Sequence, residues 1–296
     1  MNALMIINPV SGKMVLSKYY TEVVDIFKEA GYNLDVRCTT GKNSAREIIK
    51  KCAAECELII CCGGDGTLND IINGVMEYGD GLSIGYIPCG TTNDFASSIG
   101  LSKNVVTAAR DIVSGEAIQV DVGKFSDTYF SYVASFGAFT QSSYTTPQNM
   151  KNTFGHLAYV VEGVKELPYL RPTALRITTE TGEVHEGEYV LGAIANTTSI
   201  GGIIKLDSAY VDMSDGEFEV LLIHYPKNIM DLNNIITSMN TNDYENPSIS
   251  FFRARELTVE SKEKILWSVD GECFEAKQKE KIINCKKAIK IILPKK

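Results

Sequence analysis

The residues with the clearest chemical potential in this sequence lie in Cys61–Asp70, where three glycines surround a single aspartate. The apolar run 58–62 predicts a buried strand that leads into the glycines, and a helical pattern follows them. Glycines let the backbone approach a ligand closely, and the N-terminus of a helix attracts phosphate. Asp65 would repel phosphate unless a cation lay between them, so the loop predicts a nucleotide and a metal such as Mg²⁺. A tight turn that merely needs glycine is the alternative.

Two further predicted strands end in similar polar loops. The run 4–7 leads into Asn8-Pro9-Val10-Ser11-Gly12-Lys13, and the run 83–87 leads into Pro88-Cys89-Gly90-Thr91-Thr92-Asn93-Asp94. In a doubly wound sheet, the loops at the carboxyl ends of the strands converge on one crevice where ligands bind. We therefore expect one nucleotide site, with a cradle built from strand-end residues: Asn8, Ser11, Gly12, Gly64, Gly66, Thr67 and Thr91.

These three loops resemble, in order and spacing, the diacylglycerol kinase catalytic domain family, and within it the soluble bacterial diacylglycerol kinases. The resemblance continues through Val120–Lys124, Thr140–Pro147, Gly155–Tyr159 and Val269–Glu272, so it covers nearly the whole chain. A glycine–aspartate loop also occurs in NAD kinases and phosphofructokinases. The loop after the predicted strand 83–87 and the sequence Asp270-Gly271-Glu272 near the C-terminus favour the lipid kinases.

The resemblance implies an ATP- and Mg²⁺-dependent kinase that transfers the γ-phosphate to a hydroxyl group of a membrane lipid. Diacylglycerol would be the substrate and phosphatidate the product. Two alternatives stay open: a kinase of another lipid, such as phosphatidylglycerol or a sphingoid base, and a nucleotide-sensing regulator without catalysis. A glutamate placed as a base favours the enzyme, because a sensor has no need of one.

The resemblance also assigns individual residues to the site. The ATP contacts that it implies are Asn8, Pro9, Val10, Ser11, Gly12, Thr39, Gly64, Asp65, Gly66, Thr67, Leu68, Asn69, Asp70 and Thr91. Asp65, Asp94 and Asp121 would form a carboxylate network that holds the catalytic Mg²⁺. Glu272 would be the general base, although its local sequence alone predicts an ordinary hairpin carboxylate.

A second, structural Mg²⁺ is implied at Asp212-Met213-Ser214-Asp215-Gly216-Glu217. Asp215 would be its side-chain ligand, with Asp212 and Glu217 beside it. The alternative is an Asp-Gly turn that needs no metal. This segment departs from the family pattern, because the usual proline is replaced by Asp207-Ser208-Ala209 and the spacing is longer.

The pattern of elements predicts two domains. Alternating strands and helices up to residue 124 predict a doubly wound α/β nucleotide-binding domain, and strand-like segments dominate 125–296. We expect the second domain to be a β-sandwich that binds the lipid, with the active-site cleft between the domains. The helical pattern at 155–167 would either line an acyl-chain groove or pack on its own domain.

Composition limits the partners. With a formal net charge of −8, we expect no nucleic-acid partner. No apolar run approaches the length needed to span a bilayer. No secretion signal is apparent at the N-terminus, so we expect a cytoplasmic protein that contacts the membrane peripherally. The eight cysteines predict reduced core thiols, and a homodimer is left open.

Overall fold

The structure, a computed structural model, describes residues 1–11, 15–137, 172–200, 204–207 and 209–295. The chain forms two units. The first comprises Met1–Val122, Thr128–Ser131 and Cys285–Lys296, and the second comprises Gly123–Asp127 and Tyr132–Asn284. The domain boundary expected after residue 124 stays a prediction.

The elements up to residue 130 alternate between strands and helices. They are β1 (Asn2–Ile7), α1 (Val15–Glu29), β2 (Asn33–Cys38), α2 (Ser44–Cys52), β3 (Leu58–Gly63), α3 (Asp65–Tyr78), β4 (Ser83–Pro88), α4 (Asp94–Ser98), α5 (Val105–Ser114), β5 (Glu116–Phe125) and β6 (Thr128–Phe130). A single 3₁₀ turn, Ala53–Glu55, follows α2.

Strands dominate the remainder. They are β7 (Val133–Gly137), β8 (Thr173–Thr179), β9 (Val184–Ala195), β10 (Ser199–Ile200), β11 (Ile204–Lys205), β12 (Phe218–His224), β13 (Ile249–Ala254), β14 (Glu256–Glu260), β15 (Leu266–Val269), β16 (Glu272–Glu275) and β17 (Lys279–Leu293). One helix among the described residues, α6 (Ile229–Thr241), lies between β12 and β13.

The first unit is built on a parallel sheet in the order β4-β3-β1-β2, and β17 pairs in parallel with the outer edge of β4. Met5 and Ile60 pack in one apolar cluster with Phe27 of α1 and Ile112 of α5. Side chains alternate along a strand, so the neighbouring buried residues of β1 and β3 fill the opposite face, where α2 packs on α3. Both faces are therefore covered, which confirms the predicted doubly wound α/β architecture.

The strand β6 is tied to the middle of α3 by one buried asparagine. The Asn73 Oδ1 accepts hydrogen bonds from the Tyr129 N–H at 2.9 Å and the Thr128 hydroxyl at 3.3 Å. Its Nδ2 donates to the Asn69 carbonyl at 2.9 Å and to the Tyr129 carbonyl at 3.1 Å. Asn73 is 4% exposed, so these bonds are shielded from water and fix the segment that follows β5.

The second unit consists of antiparallel pairs centred on β9. The first half of β9 pairs with β8, and its second half pairs with both β7 and β12. From β8 the sheet continues through β14 to β17, and from β7 it continues through β15 to β16. One long strand therefore contributes to two groups of strands, and the prevalence of strands expected for this region is confirmed.

Several element bounds differ from the sequence expectation. The sequence predicts one strand near 249–260 and a last strand near 288–293. The first is divided at Arg255, because β13 pairs with β12 whereas β14 pairs with β8 and β17. β17 begins nine residues before residue 288, and no strand is predicted at the position of β16. The helix expected at 155–167 lies outside the described residues.

The cysteines are free thiols, as predicted, but they do not all lie in the core. Cys61, Cys62 and Cys89 are buried, whereas Cys38 and Cys273 are exposed. Among the described strands, Cys38 is the last residue of an edge strand and Cys273 lies on β16, at the other end of the strand order. In the described ranges, no helix has the length and apolar character that a membrane crossing requires.

Replacing Asn73 tests how strongly β6 depends on its contact with α3. Asn73→Ala removes the acceptor of the Tyr129 N–H and the Thr128 hydroxyl and one of the donors to the Tyr129 carbonyl, so we expect a loss of about 2–4 kcal/mol in the free energy of unfolding. Urea denaturation measures this loss. Asn33→Ala, which removes an exposed hydrogen bond to Asn2, is the control and should change stability by less than about 0.5 kcal/mol. Equal effects of the two substitutions would contradict the assignment.

Candidate active site

Asn8 connects the end of β1 to the start of α3. Its N–H donates to the Cys62 carbonyl at 2.9 Å, and its Nδ2 donates to the Thr67 hydroxyl at 3.0 Å. Its Oδ1 accepts from the Val10 N–H at 3.2 Å, which bends the chain after the strand. On the other side, the Thr39 N–H donates to the Ile7 carbonyl at 2.8 Å, so the ends of β1 and β2 are adjacent.

The loops after β3 and β4 come into direct backbone contact. A Cβ atom on Gly90 would lie 2.6 Å from the Gly64 Cα, and one on Gly64 would lie 3.1 Å from the Gly90 Cα and 3.7 Å from the Ser11 Oγ. A Cβ on Gly63 would lie 2.5 Å from the Thr67 Cβ. Only glycine therefore permits this packing, and the loops after β1, β3 and β4 converge directly before the N-terminus of α3.

Asn93 fixes the conformation of the loop after β4. Its Oδ1 accepts from the Gly90 N–H at 2.9 Å and from the Tyr86 hydroxyl at 3.2 Å, and its Nδ2 donates to the Gly90 carbonyl at 2.8 Å. The residue is 4% exposed and has a left-handed backbone, with φ 53°. Sequence reasoning did not assign it to the site, although asparagine tolerates this conformation better than most residues.

Two carboxyl groups meet at the same point. Asp65 opens α3, and its side chain accepts hydrogen bonds from the Asp94 N–H at 3.0 Å and the Phe95 N–H at 3.3 Å. Burial raises the pKa of Asp65, against the opposing effect of these backbone bonds. Burial, and then the charge of Asp65, raise the pKa of Asp94 to about 6. Two adjacent, partly buried carboxyl groups fit a cation, which would favour their charged forms.

Asp121 has a different partner. It is 1% exposed, and its Oδ1 accepts a hydrogen bond from the Lys287 N–H at 2.7 Å. Lys287 has a positive φ of 52°, so the carboxylate stabilises an unusual turn of the backbone within β17. The part expected of Asp121 in a carboxylate network with Asp65 and Asp94 stays a prediction.

The other residues expected at the nucleotide site have varied surroundings. Asp70 caps α2, because its Oδ2 accepts from the Ala45 N–H at 2.8 Å, and burial raises its pKa. The Asn69 Nδ2 donates to the Tyr129 carbonyl at 2.9 Å. Leu68 is fully buried, whereas Pro9, Val10, Gly66 and Thr91 are exposed and Gly12 lies outside the described residues. Their contacts with ATP stay predictions.

Glu272 lies at the start of β16, in the second unit. Val269 pairs with Glu272 across a two-residue turn, Asp270-Gly271, in which both residues have positive φ. This is the geometry of a type I′ hairpin. The Asp270 side chain, 3% exposed, accepts from the N–H groups of Tyr132 at 3.0 Å and Val133 at 3.1 Å. The hairpin is thus rigidly held while Glu272 itself is exposed.

The segment expected to bind a structural metal is already occupied by internal donors. The Asp212 Oδ1 accepts from the Ser214 N–H at 2.9 Å and its hydroxyl at 2.8 Å. The Asp215 Oδ1 accepts from the Glu217 N–H at 2.9 Å, and its Oδ2 lies 3.7 Å from the Arg253 Nη1. Within the described part of the chain, no three acidic, histidine or cysteine side chains are grouped to hold a metal. The internal donors compete for the oxygens that a structural Mg²⁺ would need, and its binding by Asp212, Asp215 and Glu217 stays a prediction.

Family models match both halves of the chain. A model described as the diacylglycerol kinase catalytic domain matches residues 2–125. A model described as the YegS C-terminal NAD kinase beta sandwich-like domain matches residues 134–291. The second match confirms the β-sandwich class expected for the strand-rich region.

Relatives of full length resemble the whole chain. A diacylglycerol kinase of Bacillus subtilis (strain 168) is 32% identical over 99% of this chain and 96% of its own length. A diacylglycerol kinase of Staphylococcus carnosus (strain TM300) is 31% identical over 99% of this chain and 95% of its own.

Two solved structures of Bacillus anthracis str. Sterne proteins share the fold. One has a TM-score of 0.82 at 24% identity, covering 99% of this chain and 95% of its own. The other, a diacylglycerol kinase, has a TM-score of 0.77 at 23% identity, covering 99% and 96%.

The raised pKa of Asp94 predicts a pH-dependent stability. The folded protein binds the Asp94 proton more tightly than the unfolded chain does, so protonated Asp94 contributes to the free energy of unfolding. This contribution is complete below about pH 4 and is lost as the pH rises through about 6. Asp94→Asn should therefore be more stable than the wild type at about pH 7.5, by on the order of 1 kcal/mol, and equal to it near pH 4.

Urea denaturation in buffer without Mg²⁺ and nucleotide measures this difference across the pH range. Asp80→Asn replaces an exposed aspartate and is the control, which should follow the wild type at each pH. A difference between Asp94→Asn and wild type that stays constant with pH would refute the raised pKa.

Proposed function

The chain belongs to the diacylglycerol kinase catalytic domain family, and on this premise we propose that it is an ATP- and Mg²⁺-dependent lipid kinase. It transfers the γ-phosphate to the hydroxyl group of diacylglycerol and so forms phosphatidate. The observation that carries the proposal is the glycine-only contact of Gly64 with Gly90, next to two carboxyl groups at the N-terminus of α3.

The nucleotide site would be the convergence of the three loops. The first turn of α3 carries N–H groups without helical partners and the positive end of the helix dipole, and both favour phosphate. The absence of side chains at Gly64 and Gly90 leaves this backbone accessible. Asn8 and Thr67 hold each other in position, so the loop after β1 stays beside the helix. The remaining expected contacts, Ser11 and Thr91 among them, belong to the same proposal.

Asp65 and Asp94 are the residues that would hold the metal. When bound, Mg·ATP supplies the transferred phosphoryl group, and the ion reduces its negative charge. Asp65 also caps α4 through the N–H groups of Asp94 and Phe95, so the position of one carboxylate depends on the other. This arrangement orients both groups before a ligand arrives, which lowers the cost of binding.

Glu272 would act as the general base that accepts the proton of the lipid hydroxyl. Its exposure and its place directly after a rigid type I′ turn support this role, because a base must be accessible and fixed in direction. Asp270 is the positioning residue for this hairpin, since it binds two N–H groups of the neighbouring strand region. The similarity to diacylglycerol kinases of Bacillus subtilis and Staphylococcus carnosus supports diacylglycerol as the acceptor.

Such a kinase would meet its substrate at a membrane surface, so we propose a cytoplasmic protein with peripheral membrane contact. With a formal net charge of −8, attraction to anionic lipid would depend on local basic or apolar groups rather than on the whole chain. Another lipid acceptor is the second candidate, because nothing about Glu272 selects one hydroxyl over another.

Transfer of labelled γ-phosphate from ATP to lipids in mixed micelles tests the proposed reaction. We expect labelled phosphatidate with diacylglycerol and Mg²⁺, and loss of the label with Asp65→Ala. Labelling of phosphatidylglycerol or a sphingoid base instead would retain the kinase and replace its substrate. ATP binding without any labelled lipid would contradict the kinase and favour a nucleotide sensor.

Glu272→Gln tests the base separately from nucleotide binding. Because the amide cannot accept the proton, we expect kcat to fall about 10²–10⁴-fold while the KM for ATP changes little. Glu275→Gln, three residues along the same strand, is the matched control, since Glu275 pairs with Lys264 on the surface. Equal kcat values for the two variants would remove Glu272 from the role.

A further inference from the structure

Arg253 is the centre of a charged group in the second unit that the proposed reaction does not use. Its side chain extends from β13 to the segment before β12, where Nη1 lies 3.7 Å from the Asp215 Oδ2 and Nε lies 3.6 Å from the Glu219 Oε1. Its Nη2 donates to the Tyr210 carbonyl. One guanidinium group thus contacts two carboxylates and a backbone carbonyl, which matches its five donors.

The strand register brings Glu219 and Arg253 together. Glu219 and Arg253 are directly opposite each other in the antiparallel pair of β12 and β13. Glu219 is 1% exposed, and neither of its carboxylate oxygens has a hydrogen-bond partner. Burial raises the pKa of Glu219 to about 8, and the positive charge of Arg253, 3.6 Å away, opposes that shift.

Two backbone carbonyl oxygens at or near this segment also accept side-chain donors. The Glu217 carbonyl accepts a hydrogen bond from the Asn284 Nδ2 at 3.1 Å. The Tyr210 carbonyl receives the Arg253 guanidinium. Oxygen ligands from carboxylates and carbonyls are what Mg²⁺ or Ca²⁺ would need here, and both kinds are engaged by protein donors. The guanidinium at Asp215 would also repel a divalent cation placed against the same oxygen.

We infer that Arg253 is the resident cation of the Asp212–Glu219 segment, in the position where a structural divalent metal is implied. Its fixed positive charge holds Asp215, Glu219 and the Tyr210 carbonyl together, so the segment is ordered without metal. This inference is independent of the proposed kinase activity, because it concerns the stability of the second unit alone.

The test is thermal unfolding of the full chain, treated with EDTA and free of nucleotide, with and without Mg²⁺ or Ca²⁺ at constant ionic strength. For the wild type we expect the Tm to change by less than about 1 °C up to about 10 mM of either ion. Arg253→Met leaves the carboxylates without their cation, so we expect a lower Tm that divalent ions partly restore. Arg253→Lys should lie between them, because it keeps the charge but loses the fork of donors.

Arg176→Met is the matched control, since Arg176 is an exposed arginine paired with Glu186 at 3.9 Å in the same unit. Its Tm should equal that of the wild type and should not respond to divalent ions. A rise of several degrees in the wild-type Tm with Mg²⁺ or Ca²⁺, abolished in Asp215→Asn, would overturn the inference. An Arg253→Met protein as stable as the wild type would overturn it as well. The comparison of wild type with Asp215→Asn decides the question even if Arg253→Met does not fold, because a rise that Asp215→Asn retains would come from another site, such as Asp65 and Asp94.

Discussion

The contact of Gly64 with Gly90 is the constraint on which the first unit depends. Two backbone segments at the ends of β3 and β4 approach so closely that a Cβ on Gly90 would lie 2.6 Å from the Gly64 Cα. The surrounding polar groups maintain this approach: Asn93 binds both backbone groups of Gly90, and Asp65 binds the start of α4. Hydrogen bonds and sterics together therefore leave the first turn of α3 open, which is the requirement for a phosphate site.

The α/β architecture of the first unit could be predicted from sequence because its signals are local. The strands β1, β3 and β4 are short apolar runs that end at Gly63 or Pro88 or directly before Asn8, and the longer helices have apolar residues at helical spacing. β3, for example, is buried along all six residues and ends at Gly63, as a central parallel strand must. The loops at the carboxyl ends of such strands have no alternative but to meet at one edge of the sheet.

The side-chain partners could not be predicted, because they are set by residues far apart in the chain. Asp121 pairs with the N–H of Lys287, 166 residues later, and no local pattern indicates that choice. Asn93 and Asp94 are adjacent, yet the first organises the loop from a buried position while the second carries the raised pKa. β17 is longer than expected because its first half pairs with β14. Charged residues alternate with apolar ones in that half of β17, so the sequence alone does not indicate the pairing.

The second unit shows two ways of holding an exposed or charged segment in a β-rich fold. Asp270 fixes the hairpin that carries Glu272, and Arg253 fixes the acidic segment before β12. In each case one side chain contacts more than one group of the segment that it holds: Asp270 is buried, and Arg253 is exposed. The sequence placed Glu272 by resemblance to relatives, whereas only the structure shows what holds it. The role of Arg253 had no signal in the sequence, because its partners lie on a different strand and a different loop.

The most direct measurement of the central claim is the affinity of the protein for Mg·ATP, by isothermal titration calorimetry, in the wild type and in Gly90→Ala. The added methyl group forces the loops after β3 and β4 apart, so we expect an affinity at least about tenfold weaker with circular dichroism unchanged. Gly187→Ala, at a glycine of β9 without positive φ whose Cβ would make only ordinary contacts of 3.5 Å or more, controls for general effects on the fold. Equal affinities of Gly90→Ala and wild type would show that the Gly64–Gly90 contact does not form the nucleotide site.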